Sequence, residues 1–159
     1  MNFAKRVDRS NRRIAASPSR VYRALTSREA VQTWLPPVGA RATVEAFDPR
    51  PGGAIRMTLI FDDPGKTGSR KSSINTDVVT GEFDELIPNS RVRQRFTFQS
   101  EDPAFAGTML MTWTLSATAD GVDVSVAAED VPEGISSHDH EVGMASSLAN
   151  LAAYVEQQK

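Results

Sequence analysis

The sequence predicts an α+β fold: a curved antiparallel sheet, two short helices near the N-terminus, and a long C-terminal helix across the concave face. Three observations predict it. Between Arg41 and Asp130 apolar and polar residues alternate with a period of two, cut by turn signals. Helix-start spellings stand close together at Ser17-Pro18 and Thr26–Glu29. From Ser137 to Gln157 the apolar residues recur at helical spacing. Alternation over several strands means one buried and one wet sheet face. A single amphipathic helix of that length must then cover the apolar face.

Residues 7–16 read as the first strand. Ser17 is a helix N-cap and Pro18 occupies the first helical position, where a missing N–H costs nothing. That helix carries Val21, Tyr22, Ala24 and Leu25, and Thr26-Ser27-Arg28-Glu29 spells a capping box that starts a second helix ending near Trp34. Pro36-Pro37 stops it. Residues 41–48 form a strand and Gly52-Gly53 opens the next, in which Ile55, Met57, Leu59 and Phe61 share one face. Residues 62–73 are polar and read as a mobile loop.

Three hairpins follow. A turn at Ile87–Ser90 sets Glu82 opposite Arg95, Asp84 opposite Arg93, Phe83 opposite Gln94 and Val79 opposite Phe98. Across the loop Gln99–Gly107, Phe98 is expected opposite Met109, Phe96 opposite Met111 and Gln94 opposite Trp113. Asp120-Gly121 reads as a type I′ turn, pairing Leu115 with Val126 and Trp113 with Ala128. Phe83, Phe96, Met109, Met111, Trp113 and Leu115 then share the apolar face, while Glu82, Asp84, Arg93 and Arg95 pair on the outer one. In the terminal helix the expected stripe is Val142, Ala145, Leu148, Leu151, Ala152 and Val155, flanked by Met144 and Tyr154.

Composition bounds the function. The chain has 159 residues, enough for one domain over 1–159 with a self-sufficient core. It has no cysteine, which excludes disulfides, thiolate catalysis and Cys-ligated metal. No apolar run reaches the ~20 residues of a membrane span, and no secretory signal is visible, so a cytoplasmic protein without membrane contact is expected. Residues 1–28 hold eight Lys/Arg against Asp8, and residues 101–159 hold ten acids against Lys159. Apolar residues interrupt the basic arm, so it reads as a folded element lying beside the acidic third and not as a nucleic-acid site.

The element order resembles the helix-grip fold of the START and Bet v-type superfamily, also labelled SRPBCC, and is most similar to its activator of heat-shock-protein ATPase homologue-like (AHSA-type) family. The residues that carry the likeness are Ala16–Thr26, Trp34, Pro51-Gly52-Gly53 with Ile55 and Met57, Gly81–Pro88, and Arg95–Phe98. Gly81-Glu82-Phe83-Asp84-Glu85-Leu86-Ile87-Pro88 is similar to the family's Gly-x-Val-x-Glu-Ile-x-Pro. The likeness spans about residues 7–157. Two departures are Met144, where Gly-Trp often begins the terminal helix, and Leu35, where a second tryptophan is common.

The resemblance implies an internal cavity between sheet and terminal helix. Gly143, Ala145, Ser146 and Ser147 make the first half of that helix small, and Met-rich walls adapt to varied apolar ligands. The expected lining is Trp34, Met57, Leu59 and Phe61, then Phe96, Phe98, Met109, Met111 and Trp113, with Met144 and Leu148 from the helix. Gln94 falls on the same face, where it either orients a ligand or bonds Trp113, backbone or a water. The function expected is binding of a small apolar or aromatic molecule, with no cofactor required.

Two alternatives stay open: a polyketide cyclase- or hydrolase-like enzyme drawing its acid or base from Asp77, a water on Gln94 or Asp130, and a chaperone ATPase-activator-like partner domain. A homodimer also stays open. His138-Asp139-His140-Glu141 is the one histidine cluster; lacking a third His it reads as a surface loop with no metal. No serine has a nucleophile-elbow pattern, and Gly52-Gly53 reads as bend glycines, not a phosphate loop.

Overall fold

A computed structural model describes residues 6–36, 39–61 and 76–157. The loop expected over 62–73 and Pro37 lie outside the described residues. The strands are β1 (Val7–Ile14), β2 (Ala40–Phe47), β3 (Ala54–Phe61), β4 (Thr76–Ile87), β5 (Arg91–Phe98), β6 (Thr108–Thr118) and β7 (Gly121–Glu129). The helices are α1 (Pro18–Leu25), α2 (Arg28–Trp34) and α3 (Ser137–Glu156). Among the described residues the strands form one curved antiparallel sheet in the order β1-β7-β6-β5-β4-β3-β2. This is the helix-grip α+β architecture. No helix among the described residues is long and apolar enough to cross a membrane.

Local chemistry starts each helix. The Ser17 side chain accepts from the Arg20 N–H, with Pro18 just inside α1. The cap of α2 is Ser27, which accepts from the Ala30 N–H, and not Thr26 as the capping-box spelling suggests. Thr26 instead closes α1, its hydroxyl donating to the Tyr22 carbonyl at 2.8 Å. Ser136 caps α3 by accepting from the Asp139 N–H.

The sheet faces match the alternation, but three registers differ from the turn-based ones. The β4–β5 pairs Val79–Phe98, Glu82–Arg95 and Phe83–Gln94 hold, after which a bulge at Asp84 puts Glu85 opposite Arg93. Asp84 nonetheless reaches Arg95 at 3.2 Å and Arg93 at 3.8 Å, and Arg91 bonds Glu85 at 3.1 Å. The outer-face arginines are therefore paired. In β5–β6 the partners are Phe96–Met109, Gln94–Met111 and Val92–Trp113, two residues from expectation. The chain stays on β4 beyond Phe98, with the Gln99 N–H donating to the Val78 carbonyl, before it turns through Pro103–Phe105.

In β6–β7 the turn is Ala119-Asp120, flanked by the pair Thr118–Gly121, so Leu115 faces Val124 and Trp113 faces Val126. Neither turn residue has the positive φ of a type I′ turn. Gly121 is needed for a different reason: a Cβ there would overlap the carbonyl oxygen of Ile14 on β1. Because the β5–β6 and β6–β7 shifts are each by two, their side chains keep their faces, while the β4–β5 difference is the single extra residue of the bulge.

The core packs α3 against the sheet and α1. Leu148, Leu151, Ala152 and Val155 are buried as expected, but Val142 is 56% exposed, Ala145 is exposed, and Met144 is buried in their place. At 3.6 residues per turn Val142 stands about 120° from Leu148, while Met144 is about 40° away, on the buried side. The basic N-terminal strand lies against β7, where Arg13 bonds Asp123 at 3.0 Å.

Candidate functional site

A cavity of about 540 Å³ lies between the sheet and the N-terminal half of α3. That volume is within the roughly 300–1,000 Å³ typical of small-molecule sites. One wall is β3, from which Met57, Leu59 and Phe61 project inward at alternate positions. The opposite wall comes from β5 and β6, with Gln94, Phe96 and Phe98 beside Met109, Met111 and Trp113. Trp34 closes the base. Its ring meets Trp113 edge-on with centroids 5.8 Å apart, and its Nε1–H donates to the Ala24 carbonyl at 2.9 Å. From α3 come Gly143, Met144, Ser146 and Ser147.

Eleven of the twelve residues named from the sequence thus face one space. Leu148 does not. It is 1% exposed and packed into the core, because the α3 side turned to the cavity runs through Gly143 and Ser147, well round the helix from Leu148. The small residues of that helix leave the volume unfilled: a Cβ added at Gly143 would meet nothing within 4 Å.

Gln94 supplies the cavity's buried amide. Trp113 Nε1–H donates to its Oε1 at 3.2 Å. An indole N–H can only donate, so the oxygen must be the amide atom it meets, and the NH₂ is left over. Among the described residues the one side-chain polar atom both enclosed and unpaired is Arg93 Nε. The Gln94 nitrogen has no partner there either, so it borders open space, and that space is the cavity. Asp77 is also buried in the wall, at 6% exposure. Asp130 is exposed past the end of β7, with φ 57°.

One cluster went unseen in the sequence. His138–Glu141 is not a surface loop but the first turn of α3, and His140 is half-buried in the cavity lining. Its Nδ1 lies 2.8 Å from Oδ2 of Asp8, an inward-facing residue of β1 that is 1% exposed. Arg6 holds both oxygens of the same carboxyl, through Nε at 3.0 Å and Nη2 at 2.8 Å, and also donates to the Ile135 carbonyl. Burial works against the ionised form of Asp8. The bonds from Arg6, His140 and Ser137 outweigh it and hold the carboxyl below its ordinary range. Around His140 the lining residues Gly134, Ser136, Asp139, Gly143 and Ser146 are exposed, which marks this end as the cavity mouth. The signal available beforehand was an acid at an inward position of the first strand.

Residues 15–156 match the model of the family described as Activator of Hsp90 ATPase homolog 1-like protein. Among solved structures, protein CV1439 from Chromobacterium violaceum is 33% identical, with a TM-score of 0.84 over 96% of this chain and 98% of that one. A protein from Rhodobacter sphaeroides is 21% identical, with a TM-score of 0.77 over 95% of this chain and 92% of that one. DynU16, a protein in the dynemicin biosynthetic locus, shares the fold at 21% identity and a TM-score of 0.68, over 96% of this chain and 48% of that one. No curated protein matches the chain.

Proposed function

From the premise that the chain belongs to the family of Activator of Hsp90 ATPase homolog 1-like proteins, we propose that it binds a small apolar or aromatic molecule between sheet and terminal helix. The observation that carries this reading is the 540 Å³ cavity with a single deep amide donor set in aromatic and thioether walls. Burial of an aromatic ligand against such walls supplies affinity at roughly 25 cal/mol per Å². The Gln94 NH₂ supplies orientation, since a ligand that covers it must return a hydrogen bond or leave it unpaired. The preferred ligand is therefore an apolar body carrying one acceptor, such as a ketone or ether.

Titration with 2-acetonaphthone and 2-ethylnaphthalene, followed by Trp fluorescence, tests this. Both should bind saturably at one site. The ketone should bind roughly two- to twelvefold tighter, from a hydrogen bond worth about 0.5–1.5 kcal/mol, and Gln94→Leu should erase that preference. Absence of saturable binding by either compound would sink the reading.

A further inference from the structure

We propose that His140, held by Asp8, is a proton acceptor at the cavity mouth for an acidic hydroxyl, a phenol or enol, on the bound ligand. The inference rests on the ligand-binding reading above and assigns a second, chemically active pole to the same cavity.

The geometry comes from two elements 132 residues apart in sequence. Asp8 on β1 takes Nδ1 of His140 at 2.8 Å, which leaves Nε2 on the far side of the ring. Nε2 has no hydrogen-bond partner among the described residues, and it is not among the enclosed unpaired atoms, so it remains accessible in the cavity lining. With the ionised Asp8 accepting at Nδ1, the neutral ring carries its proton there and presents the Nε2 lone pair to the cavity. An imidazole whose other nitrogen is oriented by a carboxylate is the arrangement general bases use. Asp8 acts through His140 and is a positioning residue.

The surroundings fit this role. Asp8 carries a negative charge at the Nδ1 edge of the ring, offset by Arg6, which bonds both carboxyl oxygens and shares Oδ2 with His140. On α3, Asp139 lines the cavity beside His140, and Glu141 is turned to the Arg9 N–H of β1. Asp77 stands in the sheet wall. A protonated His140 thus has Asp8 as its contact counterion, with Asp139 as a further acid at the mouth. The ligand class follows from matching acidities. Carboxylic acids are already ionised near neutral pH and aliphatic alcohols are far too weak. Phenols and enols conjugated to an electron-withdrawing group lie in the range where histidine changes charge. In the step the ligand O–H bond breaks, its electron pair stays on oxygen as phenolate or enolate, and the proton forms the Nε2–H bond of an imidazolium paired with Asp8.

The test uses 4-nitro-1-naphthol, whose absorption band reports ionisation, and its methyl ether, which has no proton to give. In the intact wild-type protein the bound naphthol should ionise at least about one pH unit below the free compound, a tenfold shift in the ratio of forms. His140→Gln keeps a donor for Asp8; it should abolish the shift while the methyl ether still binds saturably at one site. Asp8→Asn should reduce the shift. A wild-type naphthol that binds with an unshifted midpoint, or a shift that survives in His140→Gln, overturns the proton-acceptor role alone. Failure of the methyl ether to bind the wild type overturns the ligand-binding reading, and this one with it.

Discussion

Trp113 and Gln94 are diagonal neighbours on adjacent strands, and the 3.2 Å bond from indole N–H to amide oxygen fixes which end of the amide faces the cavity. The same bond satisfies the indole of a side chain that is only 5% exposed. Gln94→Leu therefore leaves the Trp113 N–H unpaired and should cost about 1–3 kcal/mol in urea unfolding. Adding Trp113→Phe to it should cost less than the sum of the two single changes, because the second removes the group that the first orphaned. Strict additivity would contradict the bond.

Gly143 is a helix-interior glycine whose added Cβ would meet open space. Gly143→Ala should stabilise the protein by about 0.8–1 kcal/mol through helix propensity, raising Tm by roughly 2–4 °C. Gly143→Phe places a ring at the cavity mouth and should weaken binding of 2-acetonaphthone at least tenfold without lowering Tm. An unaltered affinity would remove the mouth from this end of the cavity.

Gly121 has the opposite surroundings, since a Cβ there would overlap the Ile14 carbonyl of the neighbouring strand. Gly121→Ala forces β1 and the β6–β7 turn apart and should destabilise by about 1–3 kcal/mol, the usual cost of overpacking. A neutral substitution, measured by the urea midpoint, would contradict the register of β1 on β7.

The Asp8 carboxyl titrates below its ordinary range in the folded state, against about 3.9 when unfolded. A depressed folded value means that its contribution is present above the unfolded value and lost as pH falls through the folded one. The Tm difference between wild type and Asp8→Asn should therefore shrink as pH falls below about 4. A difference that grows as pH falls below about 4 would reverse the assignment.

The sheet faces were legible in the sequence because a period of two reports only which side of the pleat a residue occupies. For the same reason alternation is blind to shifts of two, and the β5–β6 and β6–β7 registers rested on turn chemistry. There Asp120-Gly121 misdirects, as Gly121 is small for the sake of Ile14 and not to provide positive φ. Cavity residues from the strands inherit the reliability of the faces, whereas Leu148 and Val142 depended on the rotation of α3. That rotation is set by how Met144 and Leu151 pack on the sheet, a tertiary matter. The Asp8–His140 contact has no signature beyond an acid at an inward strand position: its partner is a first-turn histidine, and only folding brings the two together.

The claim that this cavity is a ligand site is tested most directly by methyl NMR of the methionines. Four of the five in the chain, Met57, Met109, Met111 and Met144, line the cavity from both walls and the helix. Titration with 2-acetonaphthone should shift all four methyl resonances together, saturating at one equivalent with a common midpoint. Resonances that do not move, or that drift without saturating, would contradict a ligand held between the sheet and α3.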